Sequence, residues 1–214
     1  MKKFLIGLII VVGVLVLVVG TAGTIFYIKV LRPISSPLIA VTAARTLEER
    51  RLQNHAEFRP PGSGEVTAEQ IRNFVAVEEA VQAQLGTGIA LLTQKQTDLL
   101  RANEAEALSA KAVLLAFGDI RDLLLKAKMA QIDAMNLASF SKDEFEWVRE
   151  QLYSGATLSW FQLDVSGIAA GVPDASVQVH KFEPERRVPE QNKRLALPLV
   201  SRLQGWFALG FFGL

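Results

Sequence analysis

The sequence contains no cysteine and only two histidines, which excludes several kinds of chemical site. Without cysteine there is no disulfide, no thiolate metal ligand and no cysteine nucleophile. The two histidines, His55 and His180, are far apart in the sequence, and neither stands in a spacing that gathers metal ligands. No base is therefore apparent for a serine–histidine–aspartate triad. We expect a protein that is not an enzyme and that binds neither a metal nor a cofactor.

Acidic residues are also missing from the start of the chain, where Glu48 is the first. Lys3 and Lys29 enclose 25 residues without any charge. A helix of that length measures about 37 Å, enough to cross a hydrocarbon core of about 30 Å. The sequence therefore predicts a transmembrane anchor over residues 1–31. Its anchor residues include Phe4, Leu8, Val12, Leu15, Val19, Phe26 and Tyr27.

A cleavable signal peptide is the alternative interpretation of the same segment. Lys2 and Lys3 precede the apolar run, and Gly20 to Ala22 supply small residues for a cleavage site. The run continues beyond that point through Phe26, which favours a retained anchor. We expect a single-pass protein of the bacterial inner membrane, with most of the chain in the periplasm.

Proline and glycine divide the rest of the chain into three parts. Residues 32–65 are predicted to be a juxtamembrane helix and a linker, which closes with the turn-forming cluster Pro60 to Gly64. Residues 66–171 are predicted to be a helical bundle. Residues 172–214 are predicted to be an extended segment that ends in an apolar docking tail.

Capping residues and apolar spacing indicate the helices of the bundle. Thr67 and Gln70 form a capping-box pattern before a helix predicted over Ala68–Leu85. A long helix is predicted from about Leu91 to Met135, and Ser141 with Glu144 begins a third. The predicted fold is mainly α, with one N-terminal transmembrane helix, a soluble antiparallel helical bundle and an irregular C-terminal segment.

The pattern is weaker after the third helix. Residues 158–163 are interpreted either as an extension of that helix or as an apolar loop. One short strand is predicted over Ser176–Phe182. A final helix is predicted to start at Pro189, and Pro198 should kink or interrupt it.

Two of these predicted helices, taken together, are similar to segments of other proteins. The segments Val66 to Val81 and Ser141 to Leu152 resemble uncharacterised bacterial exported helical proteins. The resemblance covers about a third of the chain and consists of helix caps and helix faces. It implies a setting in the bacterial envelope and no particular activity.

The charges are unevenly distributed along the chain. From Thr46 to Asp174 the sequence has 19 acidic and 12 basic residues, whereas from Ala175 to Gln204 it has three acidic and six basic residues. The acidic bundle has no basic stripe of the kind that binds nucleic acid. We expect the partners to be the lipid bilayer and other subunits of a membrane complex, and not nucleic acid.

The last ten residues, from Gly205, carry no charge and four aromatic rings, and they are too few to span a bilayer. One interpretation is that this tail folds back and closes the bundle core. The other is that the tail docks on a partner or on the membrane interface, assisted by nearby basic residues. The candidate docking residues are Trp206, Phe207, Phe211, Phe212, Arg186, Arg187, Lys193 and Arg194.

These features predict a noncatalytic, membrane-anchored accessory subunit of a bacterial membrane complex. An energy-transducing complex, photosynthetic or respiratory, is the setting considered first. Such a subunit would contribute to assembly or stability through protein contacts. The alternative is a standalone envelope adaptor or sensor, whose periplasmic helical domain binds a ligand or a protein.

Overall fold

A computed structural model describes residues 46–169, 177–185 and 187–214 of the chain. The predicted anchor residues from Phe4 to Tyr27 lie outside the described residues, and so does the candidate docking residue Arg186. Within the three described ranges, no helix is both long enough and apolar enough to cross a bilayer.

The described residues are mainly helical, as the sequence predicts, and they include one small antiparallel ribbon. The first half contains helix α1 over residues 46–51, α2 over Ala68–Leu85, α3 over Gly88–Glu104, α4 over Ala110–Leu137 and α5 over Lys142–Gly155. The second half contains β1 over Trp160–Asp164, α6 over Ser166–Ala169, β2 over Gln178–Phe182, α7 over Glu190–Ala196, a 3₁₀ turn over Leu197–Leu199, α8 over Val200–Gly205 and α9 over Phe207–Phe211.

Helix α2 has the bounds that the sequence predicts. The Thr67 side chain accepts a hydrogen bond from the Gln70 backbone, and the Gln70 side chain accepts one from the Thr67 backbone, which completes the capping box. The helix ends where Gly86 takes a φ of 52°, a conformation that favours glycine.

The single long helix predicted from Leu91 to Met135 is wrong, because the chain breaks between α3 and α4. Glu106 has a φ of 54° in this break. The Ser109 hydroxyl then accepts a hydrogen bond from the Ala112 backbone and begins a new helix.

Helix α5 begins at the predicted serine cap, after a turn in which Ser139 has a φ of 56°. The Ser141 hydroxyl accepts from the Glu144 backbone at 3.2 Å. The Glu144 carboxylate does not complete a capping box, because its Oε1 accepts from Gln70 Nε2 at 2.9 Å. This bond places the starts of α2 and α5 side by side.

Residues 158–163 are neither a helix extension nor a loop throughout, since β1 occupies most of this stretch and pairs with β2. Trp160 stands opposite Phe182, and their rings stack with centroids 4.4 Å apart. The strand predicted up to Phe182 is confirmed from Gln178 onward. Helix α7 follows Pro189, and Pro198 lies in the 3₁₀ turn, as predicted.

The tail shares one hydrophobic core with the bundle, so residues 172–214 contribute to the same core as residues 66–171. Helix α2 packs most extensively against α4, and α9 packs against β1 and α3. Asn192 of α7 is completely buried and joins the two parts. Its Oδ1 accepts from the Val66 backbone, and its Nδ2 donates to the Gly64 carbonyl and to Gln151 Oε1, each at 2.9 Å.

Candidate functional site

The aromatic tail does not provide an exposed docking surface. Trp206 and Phe211 are 2% and 0% exposed, while Phe207 and Phe212 are half-buried. Trp206 Nε1 also donates to Gln82 Oε1 at 3.0 Å, which satisfies its one polar group. The expectation that Trp206 and Phe211 dock on a partner is therefore wrong, because the chain's own core takes up both rings. The structure has the arrangement in which the tail closes the bundle.

The basic residues that accompany the tail in the sequence are on the surface. Arg187 and Arg194 are exposed. Lys193 is half-buried, and its Nζ lies 2.6 Å from Glu190 Oε1. Their proposed contact with a partner stays a prediction.

A cleft of about 720 Å³, lined by charged, polar and apolar side chains, opens on the surface of the molecule. Its walls come from α1 and the residues after it, from Lys128 of α4, from the start of α5, from the end of β1 with the facing part of β2, and from Phe212 and Gly213 of the tail. Both histidines of the chain, His55 and His180, lie in these walls. We call this site the cleft.

One wall of the cleft belongs to a segment that we call the strap, residues 46–58. Leu52 of the strap is 5% exposed and joins the core. Asn136 of α4 pairs twice with the strap backbone: its Oδ1 accepts from Gln53 N at 2.8 Å, and its Nδ2 donates to the Arg51 carbonyl at 3.0 Å. The Phe58 ring contacts the Trp147 ring, with centroids 5.2 Å apart. The strap is thus attached along its length.

Glu48 of the strap connects it to two lysines in the cleft walls. Its Oε2 lies 3.0 Å from Lys128 Nζ, and its Oε1 lies 2.8 Å from Lys142 Nζ. Burial opposes ionisation of Glu48, but the two ammonium groups outweigh this effect and hold its pKa below the usual range. Glu48 therefore stays charged at neutral pH and holds both lysines.

Lys128 reaches from the cleft to the tail. Its Nζ donates to Gln131 Oε1 at 2.8 Å and to the Gly213 carbonyl at 2.6 Å, in addition to Glu48. Burial lowers the pKa of Lys128, and the Glu48 carboxylate partly offsets this effect. All three Nζ hydrogens have acceptors, so this ammonium group is fully used within the chain.

A second buried cation, Arg149, lies deeper in the bundle. It donates to Glu78 Oε1 at 3.3 Å and to the Leu214 backbone oxygen. Its guanidinium also lies over the Phe145 ring, 4.8 Å from the ring centroid. Burial raises the pKa of Glu78 to about 7, because the attraction of Arg149 offsets only part of the desolvation cost.

Asp164, at the end of β1, carries the best-defined carboxylate of the cleft. The Ser166 backbone N–H donates to its Oδ1 at 2.8 Å, and hydrogen bonding from Ser166 lowers the pKa of Asp164, with a smaller contribution from His180. His180 Nε2 lies 3.5 Å from Asp164 Oδ2. Ser166 and His180 therefore both meet the Asp164 carboxylate, whereas in a nucleophilic triad histidine lies between serine and aspartate.

The sequence did not point to the cleft, because His55 and His180 are far apart in it and Glu48 and Lys128 carry no recognisable motif. His180 lies in β2, and His55 lies in the strap after α1. Glu48 and Lys128 are 80 positions apart, and nothing in their local sequence pairs them. Only the docking of the strap on α4 and α5 brings these residues together.

The cleft can bind charged groups through separate side chains. Among the residues that the structure describes, no three histidine or carboxylate side chains come close enough together to hold a metal ion. Comparisons of the chain with protein-family models, with curated proteins and with solved structures find no significant match.

Proposed function

We propose that the chain is a noncatalytic, membrane-anchored accessory subunit of a bacterial membrane complex, and that the cleft contacts another subunit. The cleft carries this proposal, because it is a concave, charged surface assembled from the strap, α4, α5, the ribbon and the tail. The sequence supports the anchor through the 25 uncharged residues from Phe4 to Ile28. Energy-transducing complexes, respiratory or photosynthetic, are the first assemblies to examine.

The position of the strap also supports this function. The strap forms a cleft wall and is the first described segment after the predicted anchor. A contact made at the cleft would therefore be made close along the chain to the membrane tether. A subunit that stabilises a membrane complex needs such a link between its anchor and its contact surface.

The proposal that the subunit is noncatalytic rests on the hydrogen bonds that the cleft side chains make within the chain. The Asp164 carboxylate accepts from the Ser166 backbone, and Lys128 donates to Glu48, Gln131 and Gly213. Among the described residues of the cleft, these bonds hold neighbouring parts of the chain together. A cleft of this kind is suited to binding a charged group of another molecule.

A second candidate function is a standalone envelope adaptor or sensor. The volume of the cleft, about 720 Å³, lies within the range of about 300 to 1,000 Å³ that is typical of small-molecule sites. A soluble ligand of modest size would therefore fit. In this alternative the protein would act without permanent partner subunits.

Purification in mild detergent separates the two candidates. We expect a stoichiometric set of other subunits to co-purify with the tagged full-length chain, and mass spectrometry to identify them. A double variant, Asp143→Asn with Asp164→Asn, removes two cleft carboxylates and should recover less of that set. Asp122→Asn, which changes an exposed carboxylate outside the cleft, is the matched control and should recover the full set. A clean monomer or homodimer would reject the accessory subunit and favour the adaptor or sensor.

A further inference from the structure

We propose that docking of the strap and seating of the last three residues of the tail are coupled through Lys128, so that the strap stabilises the carboxyl end of the core. We call residues 212–214 the tail end. This inference concerns contacts among the described residues and does not depend on the proposed function. Two features carry it: the acceptors that Lys128 joins, and the separate attachments of the strap and the tail end.

Lys128 of α4 joins segments from opposite ends of the described chain. Its Nζ donates to Glu48 Oε2 of the strap at 3.0 Å and to the Gly213 carbonyl of the tail end at 2.6 Å. Its further acceptor, Gln131, belongs to the same helix. The Lys128 side chain is only 10% exposed, so these bonds are made largely away from water.

The bond from Lys128 to the tail end depends on the Glu48 carboxylate. Burial lowers the pKa of Lys128, the positive charges of Lys142 and Arg149 lower it further, and Glu48 offsets part of these effects. Without the strap, water would enter where Glu48 lay and compete for the ammonium group. The bond to the Gly213 carbonyl would then weaken, because a hydrogen bond contributes less to stability where water can replace it.

The strap has attachments that are separate from Lys128. Asn136 makes two hydrogen bonds with the strap backbone, and Asn54 Nδ2 donates to the Ser139 carbonyl at 2.7 Å. The Leu52 side chain joins the core. A change at Asn136 can therefore loosen the strap while leaving the side chains of Lys128 and of the tail end as they are.

The tail end also has attachments of its own. The Gly213 amide donates to the Gly210 carbonyl at 3.1 Å, and the Leu214 amide donates to the Leu209 carbonyl at 2.9 Å. Arg149 donates to the Leu214 backbone oxygen. These bonds do not involve the strap, so the two amides report whether the tail end stays seated when the strap is loosened.

Coupling of this kind acts in both directions, since a docked strap that favours a seated tail end is itself favoured by it. The strap is the first described segment after the predicted anchor. A contact that displaces the strap near the membrane tether would therefore loosen the far end of the chain.

Amide exchange of the purified full-length protein in detergent, followed by NMR, tests the coupling. Asn136→Ala should accelerate exchange of the Leu52 amide in the strap. It should also accelerate exchange of the Gly213 and Leu214 amides, by about threefold or more. Faster exchange in the strap alone would overturn the coupling, and unchanged exchange in both segments would reject the hold that it assigns to Asn136.

Two controls show whether the response is specific. Asn103→Ala, at an exposed position of α3, should change exchange in neither segment. The Trp206 indole N–H, which donates to Gln82 on the body of the bundle, should keep its exchange rate in Asn136→Ala. An equal acceleration at Trp206 would mean that the whole tail loosens with the bundle, and would also overturn the proposal.

Lys128→Met tests the route, because methionine has a similar length and cannot donate to Glu48 or to Gly213. In this background Asn136→Ala should still accelerate exchange in the strap but no longer in the tail end. A tail end that responds as before would show that the coupling does not run through Lys128. Glu48→Gln makes the same test without altering a buried lysine: it should accelerate exchange in both segments, and an unchanged tail end would contradict the proposal.

Discussion

Glu78 Oε1 lies 3.3 Å from a terminal nitrogen of Arg149, and the two side chains are only 2% and 4% exposed. The pair is incompletely satisfied, since Glu78 Oε2 and Arg149 Nε have no hydrogen-bond partner within the part of the chain that the structure describes. Moving a carboxylate out of water costs more than one long ion pair returns. The folded protein therefore holds a proton on Glu78 more tightly than the unfolded chain does.

The pH dependence of stability should reveal this proton. The pKa of Glu78 is about 7 in the folded protein and 4.5 in its ordinary state. Between these values the folded state binds more protons than the unfolded state, so the free energy of unfolding should increase as pH is lowered from about 8 to about 5. We expect a gain of about 1 to 3 kcal/mol, measured by urea denaturation at several pH values.

The variant Glu78→Gln isolates this effect, because glutamine cannot ionise. Its stability should change less over the same pH interval than that of the original protein. Glu150, whose pKa is also raised by burial and by nearby carboxylates, contributes in the same direction and remains in the variant. Glu57→Gln is the control at an exposed position and should keep the full rise. Identical pH profiles for the original protein and Glu78→Gln would contradict the prediction.

Replacement of Asn192 by alanine should be strongly destabilising. The change removes three hydrogen bonds and leaves the Val66 backbone N–H buried without an acceptor. We expect a loss of roughly 3 kcal/mol in the free energy of unfolding. Asn103→Ala, at an exposed site, should change it by no more than about 0.5 kcal/mol. Similar losses in the two variants would show that the Asn192 bonds are not formed as described.

The neighbouring rings of the tail give an internal comparison. Phe211→Ala removes a completely buried ring and should cost about 3 to 5 kcal/mol. Phe212→Ala removes a half-buried ring of the same size and should cost clearly less. Thermal and urea unfolding of both variants tests the order. If Phe212→Ala were the more damaging change, the tail would not be inserted in this orientation.

Gly155 lies at the contact between α5 and α7, where a side chain does not fit. A Cβ at this position would stand 2.8 Å from the Asn192 carbonyl oxygen and 3.0 Å from the Ala196 Cβ. Gly155→Ala should therefore destabilise the protein by about 1 to 3 kcal/mol. Gly205→Ala, at another helical glycine, meets nothing within 4 Å and should be neutral or stabilising by up to about 1 kcal/mol. A Gly155→Ala variant as stable as Gly205→Ala would disprove the close approach.

Local signals in the sequence predicted the elements best. The capping box of Thr67 and Gln70 lies within four residues, so it could be recognised without knowledge of the fold. The break before α4 was missed because alanine-rich residues 102–107 favour a helix, and the cap at Ser109 lacks a glutamate or glutamine three positions later. The apolar tail was ambiguous, because an uncharged aromatic run does not specify which surface it covers.

Long-range contacts account for what the sequence could not predict about the cleft. Glu48 meets Lys128 across 80 positions, and His55 shares the cleft with His180. Each of these side chains also suits an ordinary solvated surface when only its neighbours in the sequence are considered. Their proximity depends on how the strap and the ribbon pack on the helices, which a single sequence does not show.

The burial of Phe211 and Leu214 has a consequence for the order in which the protein is made. Residues near the carboxyl end fill space between α3, α5 and β1, so a chain synthesised from its amino end cannot complete this core until those residues have emerged. During that interval the space for the tail would expose aromatic side chains such as Tyr153 and Trp160. The nascent chain should therefore need protection from aggregation until the tail has emerged, even though its first helix caps can form earlier.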